Sequence, residues 1–131
     1  MNPSILCIED HLDNMMLVRR LFPVGRYNLI EAKNGVQGLS IADSQHLDLI
    51  LLDINLPDID GYEITRRIRS SAKAELAQIP IIVVTANAMK GDAQKALDAG
   101  CDVYLSKPIN IIELIETVDA FVGKERQRGS A

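Results

Sequence analysis

Five short apolar runs, each followed by a segment with helical spacing, constrain the fold of this chain more than any other feature. The runs are rich in Ile, Leu and Val and are continuous rather than alternating, namely SILCI, YNLIEA, LDLILLD, IPIIVVTA and CDVYLS. Each run is too short for a helix, so it predicts a strand buried on both faces. Helical patterns follow at residues 12–22, 36–44, 61–71, 89–99 and 111–122. This alternation predicts a doubly wound α/β sandwich, with a parallel sheet and helices on both of its faces.

Length and composition indicate one globular domain. The chain has 131 residues, of which 47% are hydrophobic and 24% are charged. A domain of this size buries roughly two-thirds of its surface around a single core, which leaves no room for a second domain in these residues. We expect the domain to span residues 1–122. Residues 123–131, GKERQRGSA, carry glycine, serine and charge without a period, so we expect a C-terminal tail or linker stub there.

Charge and cysteine usage exclude several other classes. The net charge of −4 offers no basic surface for direct contact with nucleic acid. The start, MNPSILCIED, has no basic segment before its short apolar run, and no run approaches the length of a membrane span. We therefore expect a cytoplasmic protein without membrane contact. Cys7 and Cys101 lie in separate apolar runs without zinc or redox spacing, so we expect buried free thiols.

Polar side chains stand where four of the apolar runs end. They are Glu9 and Asp10 after the first run, Asp53 at the end of the third, Thr85 in the fourth and Lys107 after the fifth. Ligands of open α/β sheets bind beyond the carboxyl ends of the strands, so these side chains should meet at one edge of the sheet. Taken singly, an acid such as Asp10 could instead be a helix N-cap or a solvated loop residue.

Three carboxylates at one sheet edge need a counter-charge. Two like charges about 4 Å apart repel by roughly 4 kcal/mol at an effective dielectric constant near 20. Protonation of one carboxyl group or binding of a divalent cation would offset this repulsion. Oxygen ligands favour Mg²⁺, which retains several waters and often bridges to a phosphate. Lys107 adds a positive charge that could pair with Asp53 or with a phosphoryl oxygen.

The order and spacing of these residues resemble the response-regulator receiver domains of two-component signalling, in particular the single-domain, chemotaxis-type receivers. The resemblance covers residues 4–122. It rests on Glu9, Asp10, Asp53, Pro57, Gly61, Thr85, Ala86, Tyr104, Lys107 and Pro108. It implies a flavodoxin-like fold with five helices and five parallel strands in the order 2-1-3-4-5. The chain would be a stand-alone receiver or the receiver of a hybrid kinase.

The resemblance implies a phosphoacceptor and a metal site. Asp53 would accept a phosphoryl group as an aspartyl phosphate, and Lys107 would bind the phosphoryl oxygens. The carboxylates of Glu9, Asp10 and Asp53, with the backbone carbonyl of Asn55, would hold Mg²⁺. Such a protein is a switch rather than an enzyme, because it catalyses only its own phosphoryl transfer and slow autodephosphorylation.

The resemblance also implies a switch and an output face. Thr85 would move to hydrogen-bond a phosphoryl oxygen, and Tyr104 would turn inward as it does so. From strand position alone, Tyr104 could instead be a half-buried aromatic residue without a switching role. The peptide bond between Lys107 and Pro108 would be cis. A downstream protein would contact the helix at 89–99, the following strand and the helix that begins at Ile111, and the receiver would be a monomer or a weak dimer.

The first helix carries apolar residues on more than one side. Leu12, Met15 and Met16 project away from the side that carries Val18 and Leu21, and neighbouring loops could cover them. Adaptable methionine side chains suit a contact with a partner helix. We therefore expect Leu12, Met15 and Met16 to contact the phosphodonor, which the resemblance identifies as a histidine kinase or a histidine phosphotransfer protein.

Two other classes fit these residues less well. A magnesium-dependent aspartyl phosphatase of the haloacid-dehalogenase type needs a second acid two residues after its nucleophile, where this chain has Asn55. A flavodoxin-like nucleotide binder needs a glycine-rich or hydroxyl-rich loop after the first strand, where this chain has EDHLDN. We expect His11, within that loop, to be a solvated residue at the helix start rather than a ligand, because Mg²⁺ prefers oxygen.

Overall fold

Five parallel strands form the central sheet of the computed structural model, which describes residues 2–86 and 91–129. The strands are β1 (Ser4–Ile8), β2 (Asn28–Ala32), β3 (Leu49–Asp53), β4 (Ile81–Thr85) and β5 (Val103–Ser106). They lie in the order β2-β1-β3-β4-β5, and all four pairings are parallel. The expected flavodoxin-like order is confirmed. The order reverses between β1 and β3, and ligands of such sheets bind beyond the carboxyl ends of the strands at that point.

Six helices, counted in the described part of the chain, cover the sheet. They are α1 (Leu12–Leu21), α2 (Gly35–Ser44), α3 (Gly61–Arg69), α4 (Ala74–Ala77), α5 (Asp92–Ala99) and α6 (Ile111–Gly129). The expected count of five was wrong, because α4 is a single turn and too short to produce a periodic pattern. Residues 89 and 90, where we expected α5 to begin, lie outside the described residues.

Helix α6 extends past the end expected at residue 122. The residues beyond it are mostly Lys, Glu, Arg and Gln, which are strong helix formers and continue a helix without an apolar face. That residues 123–131 are a tail outside the domain stays a prediction. None of the helices in the described part combines the length and apolarity that a membrane crossing requires.

The core has two layers, one on each face of the sheet. Successive residues of β3 alternate between the layers, so that Leu49 and Leu51 pack with α1 and α6 while Ile50 and Leu52 pack with α2, α3 and α5. The central strands are therefore buried on both faces, as expected. The edge strands β2 and β5 are only partly buried, so that expectation was wrong for them, because each has a neighbour on one side only. Both cysteines are free and buried, which confirms their prediction.

One arginine joins several segments at the amino end of the sheet. The guanidinium group of Arg69, at the end of α3, donates to the carbonyl oxygens of Ala77, Ile79 and Gly100 and to the carboxylate of Asp102. The same Asp102 oxygen accepts the backbone N–H of Ile81 at 2.8 Å. Helix α3 is thus tied to the segments that enter β4 and β5.

Candidate functional site

The register of the sheet brings the predicted polar residues together at its carboxyl edge. Asp53 is the last residue of β3 and pairs with Val84, next to Thr85 at the end of β4. Glu9 follows β1, and its backbone N–H donates to the carbonyl oxygen of Ala32. Glu9, Asp53 and Thr85 are all buried. Because each carboxylate follows or ends a buried strand, the rigid sheet determines its position.

Lys107 bridges the two buried carboxylates. Its ammonium nitrogen lies 3.2 Å from Oε2 of Glu9 and 3.3 Å from Oδ2 of Asp53. Its backbone N–H donates to the carbonyl oxygen of Thr85 at 2.7 Å, which holds the residue at the end of β5. The peptide bond between Lys107 and Pro108 is cis, as expected. The expected pairing of Lys107 with Asp53 is therefore present, and Glu9 is a second partner that the sequence did not indicate.

Burial and a neighbouring negative charge both disfavour the ionised form of the Glu9 carboxyl group. Burial is the largest cause that raises its pKa above the ordinary value, and the nearby charge of Asp53 raises the pKa further. Lys107 acts in the opposite direction but does not cancel the shift. A single lysine is thus insufficient for this cluster, and a further cation would relieve it.

Four residues can offer ligand atoms to such a cation. One side-chain atom from each of Glu9, Asp10, His11 and Asp53 lies within 4.8 Å of the others. Three are carboxylate oxygens, the donors that Mg²⁺ prefers, so the residues fit that ion. Asn55, whose backbone carbonyl was the other expected ligand, lies beside the cluster, because its N–H donates to Oδ1 of Asp53 at 3.1 Å.

His11 is at the start of α1 and exposed, in agreement with the expectation of a solvated residue. Its Nδ1 atom nevertheless lies 3.0 Å from Oδ1 of Asp10 and 3.3 Å from Oε1 of Glu9. Its backbone N–H also donates to Oε1 of Glu9. The imidazole therefore faces the acidic cluster.

The loop after Asp53 is held by two contacts that sequence reasoning missed. Asp58 accepts the backbone N–H groups of Gly35 and Val36, one on each carboxylate oxygen, at the start of α2. These hydrogen bonds lower the pKa of Asp58. A Cβ at Gly61 would lie 2.7 Å from Cα of Ile54, so glycine allows the start of α3 to approach the loop backbone. The acidic sequence PDID was a signal for a helix cap, but the sequence did not indicate which helix.

The two predicted switch residues lie on neighbouring strands. Thr85 ends β4, and Tyr104 is on β5, half-buried against the core layer that contains α3 and α5. The hydroxyl oxygen of Tyr104 is inaccessible to solvent and has no hydrogen-bond partner among residues 2–86 and 91–129. Burial is the largest cause that raises its pKa.

The expected docking patch on α1 is only partly exposed. Leu12 and Met16 are 62% and 43% exposed, whereas Met15 is 3% exposed and packs in the core with Val18. Including Met15 in an exposed patch was therefore wrong. Two residues that are three positions apart on a helix point in directions that differ by about 60°. Met15 and Val18 therefore share the side that faces the sheet.

The chain is similar to known receiver domains in both sequence and structure. Residues 5–119 match the family model of the response regulator receiver domain. The polar-differentiation response regulators DivK of Brucella ovis and Brucella abortus are 41% identical over 123 residues, which cover 94% of this chain and 98% of theirs.

Solved structures show the same fold. The receiver domain of a sensor histidine kinase from Pseudomonas aeruginosa, with a magnesium ion coordinated in its active-site cleft, is 35% identical with a TM-score of 0.83. The match covers 94% of this chain and 99% of that one. A response regulator from Chloroflexus aurantiacus has a TM-score of 0.86 at 24% identity, over 94% of this chain and 99% of that one. That second likeness concerns the fold alone.

Proposed function

Since this chain belongs to the response regulator receiver family of two-component signalling, we propose that it is a switch in which Asp53 accepts a phosphoryl group from a phosphohistidine donor. Members of the family are signalling switches and not classical enzymes. The observation that carries the proposal is the placement of Asp53, a buried carboxylate at a strand end, 3.3 Å from the ammonium group of Lys107.

In-line phosphoryl transfer needs few parts, and the cluster contains them. An ionised oxygen must attack phosphorus, and positive charge must stabilise the equatorial phosphoryl oxygens. A carboxylate oxygen of Asp53 would form the new P–O bond as the P–N bond to the donor imidazole breaks. Lys107 lies close enough to Asp53 to contact the incoming phosphoryl oxygens.

We propose that Glu9, Asp10 and Asp53, with the backbone carbonyl of Asn55, hold Mg²⁺. The raised pKa of Glu9 and the convergence of three carboxylates support this assignment, as does the magnesium ion in the 35% identical receiver domain. Bound Mg²⁺ would supply further positive charge to the phosphoryl oxygens. Glu9 and Asp10 would hold the ion beside the acceptor carboxylate of Asp53.

Phosphorylation would then alter the charge at a rigid edge. It replaces one negative charge at Asp53 by roughly two. We propose that the hydroxyl of Thr85 moves toward the new phosphoryl oxygens and that Tyr104 changes position with it. The buried hydroxyl of Tyr104, which lacks a partner among the described residues, supports this, because an unpaired polar group costs about 1–3 kcal/mol and favours a second arrangement.

Without help from a partner, the shift would be incomplete. Moving a two-state population from 1:99 to 99:1 takes about 5.5 kcal/mol, more than one new hydrogen bond supplies. We propose that a downstream protein contributes the remainder by binding the face formed by α5, β5 and the start of α6. Leu97 on α5 and Ile111 on α6 are both substantially exposed, which supports a protein contact there.

Leu12 and Met16 remain as the proposed contact for the phosphodonor. They lie on the first turns of α1, directly after the acidic pair, and both are exposed. A histidine kinase or histidine phosphotransfer protein that packs on them would bring its histidine near Asp53. We expect Met16→Asp to slow transfer from the correct donor without slowing modification by acetyl phosphate. The control is Val24→Asp, a fully exposed apolar residue beyond the other end of α1, and equal slowing by both variants would contradict this contact.

The experiment that tests the phosphoacceptor is intact-mass analysis after incubation with acetyl phosphate and Mg²⁺. We expect one added phosphoryl group on the parent and on the control Asp98→Asn, an exposed acid on α5. We expect none on Asp53→Asn and none when EDTA replaces Mg²⁺. An adduct that persists on Asp53→Asn would overturn the assignment. Continuous phosphate release far beyond one turnover would instead indicate an aspartyl phosphatase.

A further inference from the structure

The imidazole of His11 does not serve the helix that it begins. His11 is the N-cap of α1, a position where Ser, Thr, Asp or Asn commonly accepts a backbone N–H of the first turn. Its side chain makes no such hydrogen bond. Instead, Nδ1 lies beside Oδ1 of Asp10 and Oε1 of Glu9. The side chain therefore contributes to the acidic cluster rather than to the helix end.

The spacing of these atoms suits a common metal ion. Adjacent ligands of an octahedral ion with bonds of about 2.1 Å lie roughly 3.0 Å apart. The distances from Nδ1 of His11 to the oxygens of Asp10 and Glu9 are 3.0 Å and 3.3 Å. Two of these three residues are carboxylates already assigned to the metal. The side chain of His11 is 63% exposed, so its ring can rotate without disturbing the core.

The chemical type of a ligand determines which metal ions an added imidazole would bind more tightly. Carboxylates, carbonyls and water suit Mg²⁺, whereas imidazole suits Ni²⁺, Co²⁺ and Zn²⁺. A neutral imidazole that replaces one water adds no charge to a cluster with three carboxylates and one lysine. It would thus strengthen the binding of these transition-metal ions with little effect on Mg²⁺.

We propose that Nδ1 of His11 is an additional ligand of this metal site, which makes the site select divalent transition-metal ions such as Ni²⁺ and Co²⁺ over Mg²⁺. The inference rests on the proposed function only in that the carboxylates of Glu9, Asp10 and Asp53 form the site. It concerns which ion binds there, and it holds whether or not phosphorylation follows.

The chain offers a matched control, because it has two histidines. His46 is also exposed and also lies near two carboxylates, those of Asp48 and Glu75. We would titrate Ni²⁺ and Mg²⁺ into the parent, His11→Asn and His46→Asn by calorimetry, using protein without a polyhistidine tag. For His11→Asn we expect Ni²⁺ affinity to fall by at least roughly tenfold, with Mg²⁺ affinity changed less than about twofold. His46→Asn should bind both ions like the parent.

A second readout is independent of affinity. On addition of Co²⁺, the ring protons of His11 should show large paramagnetic NMR shifts, and those of His46 should not. Equal weakening of Ni²⁺ and Mg²⁺ in His11→Asn, unchanged Ni²⁺ affinity, or loss of the Ni²⁺ preference in His46→Asn would each overturn the role of His11.

The same titrations separate this inference from the proposed function. If the parent binds Mg²⁺ in a manner that Asp53→Asn abolishes but His11→Asn leaves Ni²⁺ binding intact, only the role of His11 fails. If the parent binds neither ion at Asp53, the magnesium site fails, and the inference fails with it.

Discussion

The ammonium nitrogen of Lys107 lies 3.3 Å from Oδ2 of Asp53, in a pair whose side chains are only 13% and 1% exposed. Glu9 shares the same ammonium group at 3.2 Å. In the absence of metal, one lysine is therefore shared by two buried carboxylates. The charge that would later contact a phosphoryl group also stabilises the unmodified protein.

Replacing Lys107 by methionine should expose this dependence. Removal of one partner from a buried ion pair costs about 3 kcal/mol or more, because a buried charge is left uncompensated. We expect Lys107→Met to lower the free energy of unfolding by about 3 kcal/mol in EDTA, measured by urea denaturation. Free Mg²⁺ at 100 times its Kd for this variant should raise the free energy of unfolding again by about 2.7 kcal/mol. Lys95→Met, at an exposed site on α5, is the control, and an equal loss in both variants would contradict the bridge.

The unsatisfied hydroxyl of Tyr104 predicts a stabilising substitution. Tyr104→Phe removes a buried oxygen that has no partner in the described part of the chain, so we expect the free energy of unfolding to rise by about 1 kcal/mol. Tyr27→Phe is the matched control, because the Tyr27 hydroxyl donates to Asp119 at 2.9 Å. The free energy of unfolding of Tyr27→Phe should fall by about 0.5–1 kcal/mol. A loss in both variants would show that the Tyr104 hydroxyl is satisfied.

The close approach of Gly61 to the loop after Asp53 predicts a sensitivity to one methyl group. In Gly61→Ala the new carbon would meet backbone, Cα of Ile54 at 2.7 Å, so the loop must shift. We expect the free energy of unfolding of Gly61→Ala to fall by about 1–3 kcal/mol, and we expect slower modification by acetyl phosphate. In Gly35→Ala the closest atoms belong to side chains, Cδ1 of Ile64 at 2.9 Å and Cβ of Ile59 at 3.0 Å, so less backbone must shift and the loss should be smaller. The reverse order would contradict this explanation.

The cap that Asp58 makes on α2 predicts a pH dependence. Its two oxygens each accept a backbone N–H, and these bonds lower its pKa. A lowered pKa in the folded state means that the ionised form stabilises the fold above pH ~4 and that this contribution is lost as pH falls through the lowered pKa. Asn has only one acceptor oxygen, so Asp58→Asn should unfold at a lower temperature than the parent at pH 7.

The difference in unfolding temperature between parent and Asp58→Asn should shrink below pH ~4, because the Asp58 carboxyl group of the parent takes up a proton there. Thermal unfolding at pH 7, 5 and 3 measures it. Asp60→Asn is the control, because Asp60 caps α3 through one oxygen only and Asn is an equally good N-cap. A difference between parent and Asp58→Asn that is constant down to pH 3 would contradict the charge-dependent cap.

The strands were predictable because central strands of a parallel sheet leave a continuous apolar signal. LDLILLD corresponds to β3 and ends on Asp53, as expected. The single turn of α4 left no signal, since a pattern needs more than four residues. Met15 was misassigned because the projection centred the buried side of α1 near Leu21, whereas Met15 and Val18 form the side that faces the sheet.

The site was predictable as a set of residues but not as a set of contacts. Residues at the ends of parallel strands must meet, which placed Asp53 and Lys107 together. The contact between Lys107 and Glu9 joins residues 98 positions apart, and that between Asp58 and Gly35 joins residues 23 positions apart. Such contacts depend on side-chain directions that no local pattern records.

The arginine at the amino end of the sheet makes the domain mechanically asymmetric. Arg69 binds three carbonyl oxygens and one carboxylate, and these bonds do not depend on metal or phosphate. These bonds resist sliding of helix α3 along β4 and β5 when the charge at Asp53 changes. Strain caused by a change of charge at the acidic edge would then be released by movement of the residues at that edge. The carboxyl end of the sheet can change conformation while the amino end, where Arg69 binds, keeps its structure.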